Sequence, residues 1–427
     1  MIPPRLLPYP ELVEGIVKDP DNDDLRLSYA RRLATEGNVL GRFIEWSVNA
    51  ARSGDAERAD FDTTEPIDER DFLPDDLHAA VNCPAFKRGF VEETGLYARE
   101  LEGHVHELFR ALPLLRRITV YAQQYGRDPD ASLRSLLALF RVEQFARIEK
   151  LWLPSDWKGQ GDSLARALAD LASARGLREL DLSSSDISRV GITALLTSQH
   201  LTRLNSLRIT FSALDRDALV AIADHGERLE SLWLWKNGLN SRAIEPLCAS
   251  MCLARLKMLR LSQNEIGAAG GLAIANAATL PVLEFLEVDD QTPETVVHLA
   301  TTRRLPRLRI LLVSGRKLGR KLGSALGRAT PTHALDELNL YGALMGDKGV
   351  ADFCNSSFLI AAEVTRLNLG GNEITDRGAA ELARAPSLRR LKSLDLSHNK
   401  ITEKGQDVLR ASDILAHTKL DFGFRPT

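Results

Sequence analysis

The chain has 427 residues, 55 of them lysine or arginine and 58 aspartate or glutamate, so its formal net charge is −3. This near balance excludes a bulk positive field that would attract nucleic acid or an anionic membrane. No apolar run approaches the roughly 20 residues of a membrane-spanning helix, and the start of the chain has no pattern of a secretory signal. Four scattered cysteines do not make a disulfide framework. We therefore expect a reduced, cytoplasmic protein.

The first hundred residues do not repeat, and they predict a small, mainly helical module. Amphipathic spacing indicates the helices, while glycine, proline and acidic clusters mark their ends and the loops. The expected elements are helices at 11–18, 25–36, 39–53 and 99–112, a loop at 55–76 and a strand at 89–95. The acidic stretch 19–24 offers residues that can cap the second helix.

Several short sequences in this module resemble the "repeat-companion domain" found ahead of repeats in myxobacterial and planctomycete proteins. The matching residues are 19–30, Leu33, Gly37 and 41–45, and the segments 86–92 and 108–113 resemble the stretch that joins that domain to its repeats. The family usually has Tyr-Ala-Asp-Trp-Leu where this chain has Tyr29-Ala30-Arg31-Arg32-Leu33, so no role of the Asp-Trp pair carries over. The resemblance implies a bacterial protein and brings no activity with it.

A pattern of the form Leu-x-x-Leu-x-Leu dominates the rest of the chain. Its nine strong copies begin 25 to 29 residues apart, and two weaker copies precede them. The copies begin at Leu115, Ile148, Leu177, Leu204, Leu229, Leu256, Leu283, Leu308, Leu335, Val364 and Leu391. Each motif alternates its side chains as a short strand does, and the other half of each repeat has helical spacing. Such a period is the signature of a leucine-rich-repeat solenoid, and its length resembles the ribonuclease-inhibitor type.

We therefore predict an α/β leucine-rich-repeat solenoid, a horseshoe with ten to eleven parallel strands inside and helices outside, preceded by a small mainly helical module. The expected boundaries are 1–54 for the helical module, 55–114 for a linker and N-terminal cap, and 115–427 for the solenoid with its C-terminal cap. Because one repeat cannot bury its apolar side alone, both ends of a solenoid must be covered. We expect 86–112 to cover the first repeat and 415–424 to cover the last.

A polar position follows each predicted strand, and an inward-facing amide there can satisfy backbone groups where the strand becomes a loop. The position holds Asn237, Asn264, Asn372 and Asn399, and elsewhere Asp156, Ser185, Ser212, Gln291, Arg316 and Ala343. Arg316 and Ala343 cannot replace asparagine well, so we expect an irregular turn or a distorted neighbour at those two repeats.

Two other patterns are candidate sites. Cys248 and Cys252 are four residues apart and would share one helical face, as half of a zinc site does, but no second pair completes the site. The segment 315–327 has glycine at every fourth position and a possible basic patch at Arg316, Lys317, Arg320 and Lys321. It is either a site for an anion or acidic partner or, as we favour, a solvated helix packed closely on its neighbour.

The concave side of the predicted solenoid carries the strongest candidate site. The predicted partner-binding residues are Trp152, Arg208, Trp233, Trp235, Arg260, Phe285 and Tyr341, and tryptophan and arginine are typical of interface hot spots. No catalytic constellation, metal site or cofactor motif is visible. We predict a non-enzymatic scaffold that binds another protein, with no nucleic acid, membrane, cofactor or metal. The alternatives are a regulator of an enzyme (an inhibitor or GTPase regulator) or an oligomerising structural scaffold that acts through the N-terminal module.

Overall fold

The structure, a computed structural model, describes residues 7–53, 73–122, 129–315 and 318–423. The chain divides into two compact units, Met1–Ser185 with Ser198–Leu204, and Asp186–Thr197 with Asn205–Thr427. Among the described residues, no helix is long and apolar enough to cross a membrane.

The first unit contains three N-terminal helices followed by strands and helices in alternation. Its helices are α1 (Pro10–Lys18), α2 (Asp23–Ala34), α3 (Val39–Ser53), α4 (Val105–Ala111), α5 (Pro129–Arg141) and α6 (Gly161–Ala169). Its strands are β1 (Val81–Lys87), β2 (Phe90–Tyr97), β3 (Arg117–Tyr121), β4 (Lys150–Trp152) and β5 (Glu179–Asp181). The predicted helices at 11–18, 25–36, 39–53 and 99–112 correspond to α1–α4, although α4 is shorter because residues 99–101 form a separate 3-10 helix.

The three N-terminal helices pack around their own apolar core. The side chain of Asn22 caps α2 by accepting hydrogen bonds from the backbone N–H of Asp24 and Leu25, as the acidic stretch predicted. Gly41 of α3 lies so close to α2 that a Cβ atom there would be 2.5 Å from the carbonyl oxygen of Ala30. The core is formed by Val13, Ile16, Leu27, Tyr29, Ala30, Leu33, Ile44, Val48, Phe90 and Leu114.

A buried ion pair joins these helices to the hairpin that follows them. The guanidinium of Arg26, which is fully buried, donates to the carboxylate of Glu92 on β2 at 2.9 Å. It also donates to the carbonyl oxygens of Pro20, Lys87 and Arg88. These acceptors satisfy a charge that would otherwise be costly to bury.

The sheet of the first unit begins with a hairpin. Strand β1 pairs antiparallel with β2, and β2, β3, β4 and β5 then pair in parallel. Strand β2 and helix α4 lie between residues 86 and 112, and β2 pairs along the edge of β3; the role of this segment as a cap stays a prediction. Strand β1 was not predicted from the sequence. Its ladder is interrupted by a register shift beside Pro84, which weakens the period-two pattern by which a strand is recognised.

The second unit repeats one strand and one helix throughout. Its strands are β6 (Ser206–Arg208), β7 (Ser231–Trp233), β8 (Met258–Arg260), β9 (Phe285–Asp289), β10 (Ile310–Ser314), β11 (Glu337–Asn339), β12 (Arg366–Asn368), β13 (Ser393–Asp395) and β14 (Lys419–Asp421). Its helices are α7 (Arg189–Thr197), α8 (Arg216–His225), α9 (Ser241–Ala249), α10 (Gly267–Ala275), α11 (Pro293–Thr301), α12 (Lys321–Gly327), α13 (Gly346–Cys354), α14 (Phe358–Ala361), α15 (Asp376–Leu382) and α16 (Glu403–Arg410).

Neighbouring strands of the second unit pair in parallel from β6 to β14. In the three-residue strands β6–β8 and β11–β13 the middle leucine is buried while its two neighbours are partly or largely exposed, so one face of these strands packs on the helices and the other remains open. In β14 the middle Leu420 is itself partly exposed. The described residues of the two units form 14 strands. The predicted ten to eleven correspond to β3–β13; β1 and β2 precede the first motif, and β14 lies in the expected C-terminal cap. The fold class is therefore an α/β leucine-rich-repeat solenoid, as predicted.

The asparagines after the strands bridge neighbouring repeats. The amide oxygen of Asn264 accepts hydrogen bonds from the N–H groups of Asn237 and Leu239, at 2.8 and 3.1 Å. Its amide nitrogen donates to the carbonyls of Leu234 and Leu261, both at 2.8 Å. Asn237, Asn372 and Asn399 make corresponding bonds. These residues are structural, as predicted.

Of the two outcomes expected at Ala343, an irregular turn or a distorted neighbour, the irregular turn does not occur. Gly342 and Leu344 adopt left-handed conformations, with φ of 67° and 53°, like Gly371 and Glu373 on either side of Asn372. The next repeat serves this turn through Asn372, as Asn264 serves the turn of the repeat before it. Asn372 accepts from the N–H of Met345 at 3.1 Å and donates to the carbonyl of Leu340 at 2.8 Å. Arg316 lies outside the described residues.

Candidate binding face

Strands β6–β9 bring arginine and aromatic side chains into one row on the open face of the second unit. The parallel register aligns Arg208 with Trp233, Trp233 with Arg260, and Arg260 with Glu287. The Cζ atom of Arg208 lies 3.7 Å from the centroid of the Trp233 ring, and that of Arg260 lies 4.0 Å from it. Trp233 is therefore held between two guanidinium groups, each of which contributes about 0.5–2 kcal/mol through cation–π attraction.

Arg260 extends this row to the next strand. Its Cζ atom lies 4.6 Å from the centroid of Phe285, and its guanidinium forms an ion pair with Glu287 at 3.3 Å. The indole N–H of Trp233 donates to the hydroxyl of Ser231 at 2.9 Å. The row thus has few alternative rotamers, so a partner would meet a surface whose side chains are already ordered.

A second aromatic pair lies where β6 and β7 end. The rings of Phe211 and Trp235 meet edge to face with centroids 4.6 Å apart, a favoured aromatic geometry. The ammonium of the exposed Lys236 lies 4.9 Å from the centroid of Phe211. Phe211 is 45% exposed. Below, the term aromatic face refers to Arg208, Phe211, Trp233, Trp235, Lys236, Arg260 and Phe285.

Phe211 was not among the residues predicted from the sequence. The sequence signal for it is its position directly before Ser212, where the next two repeats have Lys236 and Gln263. Its φ of 54° is left-handed, as are those of Lys236 and Gln263 at the equivalent positions of the next two repeats. This conformation is unfavourable for a bulky residue. A large apolar side chain at a left-handed turn position, beside a strand-end tryptophan, therefore marks a candidate contact residue.

The two tryptophans of the predicted binding residues on β7 and its end are less exposed than open strand positions would be. Trp233 and Trp235 are half-buried rather than exposed, because the guanidinium groups cover Trp233 and Phe211 packs against Trp235. Packing of the side chains on one another therefore removes part of each indole from solvent, and Phe211 has the most exposed ring of the group.

Trp152 and Tyr341, the other two predicted contact residues, do not belong to this group. Trp152 is 40% exposed on β4 of the first unit. Tyr341 follows β11, four strands beyond β7, which corresponds to about 19 Å at the usual strand spacing. It is also 40% exposed, and its ring contacts that of His398 at 6.1 Å. Five of the seven predicted residues therefore come together: Arg208, Trp233, Trp235, Arg260 and Phe285.

The two neighbouring cysteines do not share one helix. Cys248 lies in α9, whereas Cys252 lies in a separate 3-10 helix, Met251–Leu253, and its thiol contacts the carbonyl of Asp224 at 3.4 Å. The expectation of one common helical face is wrong because α9 ends at Ala249. All four cysteines are unpaired. Burial raises the pKa of the Cys248 thiol to about 12, which disfavours the thiolate that binds zinc.

One group of possible metal ligands occurs among the described residues. Asp76, His104 and Glu107 of the first unit each place a ligand atom within 4.8 Å of the others. The Nδ1 atom of His104 lies 3.3 Å from Glu107, and Asp76 is exposed. The hydrogen bond between His104 and Glu107 accounts for the proximity of these two residues. The absence of a required metal stays a prediction.

The glycine-rich basic segment is mainly a packing element where it is described. Helix α12 begins only at Lys321, and Gly315 and Gly319 have positive φ before it. A Cβ atom on Gly323 would lie 1.8 Å from the carbonyl oxygen of Gly349 on α13, so glycine allows the two helices to approach. Arg320 and Lys321 are exposed, while Arg316 and Lys317 lie outside the described residues. The role of these four basic residues stays a prediction.

The comparisons with known proteins support the presence of leucine-rich repeats in this chain. The model of the family "Leucine Rich repeat" matches residues 175–196, 256–275, 364–383 and 388–405. The chain is 27% identical to the ribonuclease inhibitor of Sus scrofa over 319 residues, covering 71% of this chain and 68% of the relative. It is 24% identical to the ribonuclease inhibitor of Mus musculus over 231 residues, covering 54% of this chain and 41% of the relative.

Solved structures with related geometry are more distant. An internalin from Listeria monocytogenes superposes with a TM-score of 0.40 at 16% identity, covering 78% of this chain and 87% of the internalin. The yeast Rad7 and Elc1 complex superposes with a TM-score of 0.38 at 17% identity, covering 64% of this chain and 78% of the matched chain.

Proposed function

We propose that this protein is a non-enzymatic scaffold that binds another protein through the aromatic face of its repeats. The observation that carries the proposal is the ordered row in which Trp233 lies between Arg208 and Arg260, beside the exposed ring of Phe211. Clustered tryptophan and arginine supply most of the free energy of many protein interfaces. The similarity to ribonuclease inhibitors, which are named for an inhibitory activity, supports a binding role over a catalytic one.

The other candidate functions have less support. An inhibitor or another regulator of an enzyme would use the same face, so it is a special case of the proposal. An oligomerising scaffold acting through the N-terminal module has no observation among the described residues that favours it; the buried bond of Arg26 to Glu92 joins the module to β2 of the same chain. The companion-domain resemblance, the boundaries 1–54, 55–114 and 115–427, and a cytoplasmic location with reduced thiols remain part of the proposal.

The test begins with the native partner, recovered by crosslinking to the full chain in its source cell and then purified. Replacing Trp235 with alanine should weaken partner binding by about 2 kcal/mol, roughly a thirtyfold rise in Kd. Phe211→Ala should have a similar effect. The matched control is Met251→Ala, which removes an apolar side chain that is 75% exposed on a 3-10 helix outside the aromatic face.

Calorimetric titration measures the affinities, and circular dichroism confirms that each variant is folded. Unchanged affinity in the Trp235→Ala and Phe211→Ala variants would show that the aromatic face is not the binding surface. The same loss of affinity in Met251→Ala would show that the effect is not local.

A further inference from the structure

The strands that carry the aromatic face have a distinct charge pattern. Residues 206–211, 231–236 and 258–263, which form β6–β8 and the turns after them, contain three cationic residues and no aspartate or glutamate. The cations are Arg208, Lys236 and Arg260. The side-chain charge is negative on the next strand, because β9 and the residue after it contain Glu287, Asp289 and Asp290. Arg260 is already paired with Glu287 at 3.3 Å, whereas Lys236 is exposed beside Phe211. A chain of net charge −3 therefore presents an exposed cation at an aromatic corner, with acids on the next strand.

The geometry orients this positive charge before any partner arrives. Arg208 and Arg260 lie over the faces of Trp233, and a guanidinium stacked on a ring keeps its N–H donors in the plane of the group, directed away from that ring. Lys236 lies above Phe211 at the exposed corner of the face. A side chain held in this way loses little rotamer entropy on binding.

We propose that the partner segment bound at the aromatic face carries carboxylate side chains beside an apolar side chain. The apolar side chain packs on the corner formed by Phe211 and Trp235, and a carboxylate faces the exposed Lys236, because Arg260 already pairs with Glu287. This inference rests on the proposed function and specifies the chemistry of the partner. Opposite charges across an interface mainly increase the association rate and exclude wrong partners.

The same cations could in principle attract the phosphates of a single-stranded nucleic acid, but the face favours a protein. An extended polyanion that crosses several strands would meet Glu287, Asp289 and Asp290 directly after the third cation. A short acidic segment of a protein ends before that border. Three cations also provide only a few phosphate contacts, whereas affinity for nucleic acid grows with each phosphate that is neutralised.

The experiment uses the full chain and defined probes. These are a short peptide with glutamates on both sides of a leucine pair, a second peptide with lysine in place of each glutamate, a third with glutamine, and a short oligouridylate. Titration at low salt is followed by tryptophan fluorescence. We expect saturable binding of the glutamate peptide and a loss of affinity as salt is raised. The lysine peptide should bind at least roughly tenfold more weakly than the glutamate peptide.

Two matched charge reversals locate the effect. Lys236→Glu should weaken binding of the glutamate peptide by roughly tenfold. Lys348→Glu, which reverses an exposed lysine on helix α13, should leave it unchanged. Equal losses in the two variants would overturn the proposal, because the attraction would then reflect the charge of the whole chain.

The remaining outcomes separate this inference from the proposed function. If the lysine peptide binds best and Trp235→Ala removes that binding, the acidic assignment is wrong while the proposed function stands. The acidic assignment is equally wrong if no peptide binds although Trp235→Ala weakens native-partner binding. If the oligouridylate binds more strongly than the glutamate peptide, and Lys236→Glu removes that binding, the ligand of the aromatic face is a nucleic acid and not a protein segment. If no peptide binds and Trp235→Ala leaves native-partner binding unchanged, both proposals fail.

Discussion

The buried pair of Arg26 and Glu92 offers a quantitative test of how the N-terminal helices are held to the repeats. Arg26→Met keeps most of the length of the side chain but removes its charge and its donors. It leaves Glu92, which is 3% exposed, with the more distant ammonium of Lys87 at 3.8 Å as a cationic neighbour. Removing one partner of a buried pair typically costs about 3–5 kcal/mol, and the carbonyls that Arg26 bonded also lose a donor.

A double-mutant cycle distinguishes the cost of the unpaired charge from the cost of lost packing. Because Arg26→Met/Glu92→Leu removes both charges of the pair, it should be about 2 kcal/mol more stable than Arg26→Met alone. The control is Arg52→Met, since Arg52 is half exposed and pairs with Asp23 and Asp24 at the surface. Surface ion pairs contribute about 0–1 kcal/mol, so this variant should change little.

Amide hydrogen exchange on the full chain measures these differences locally, in peptides covering Asp23–Ala34 and Phe90–Tyr97. We expect both segments to lose protection together in Arg26→Met and to regain part of it in the double variant. A cost below about 1 kcal/mol for Arg26→Met, or a double variant no more stable than the single one, would refute the idea that the pair acts as a buried, mutually neutralising connection.

Three further predictions concern the repeats and the thiols. Gly323→Ala should destabilise the chain by several kcal/mol in urea unfolding, because the added Cβ would lie 1.8 Å from a carbonyl oxygen of the neighbouring helix. The control is Gly15→Ala, which has open space around it and should instead stabilise α1 by about 0.5–1 kcal/mol. Asn264→Ala should cost about 3 kcal/mol in the same assay, since it leaves buried backbone groups of two repeats without partners; full stability would contradict the structural role of these amides. Alkylation at pH 8, followed by mass spectrometry, tests the thiols. Exposed Cys83 should react first, while Cys354 should react slowly because burial raises the pKa of its thiol to about 12. Fast labelling of Cys354 would show that its site opens readily.

The sequence by itself determined the repeating part of this protein. A leucine at every second or third position fixes which side chains of a short strand are buried, and this information is local. The motifs beginning at Leu115 and Leu391 therefore located β3 and β13 correctly, with the nine strands between them. The asparagines were equally readable, because the amide at Asn264 serves backbone groups that every such strand-to-loop turn leaves unpaired.

Only the tertiary structure decided how side chains from different repeats meet. The sequence placed Trp233 and Arg260 on the same face, but the register of adjacent strands and the rotamers at 208 and 260 put guanidinium groups over the indole and reduced its exposure. Phe211 packs on Trp235 from the preceding repeat, and Arg26 meets Glu92 from 66 residues away. Such contacts join positions that are distant in the chain, so no local periodicity records them. They form because neighbouring repeats bury their apolar sides together, which no repeat can do alone.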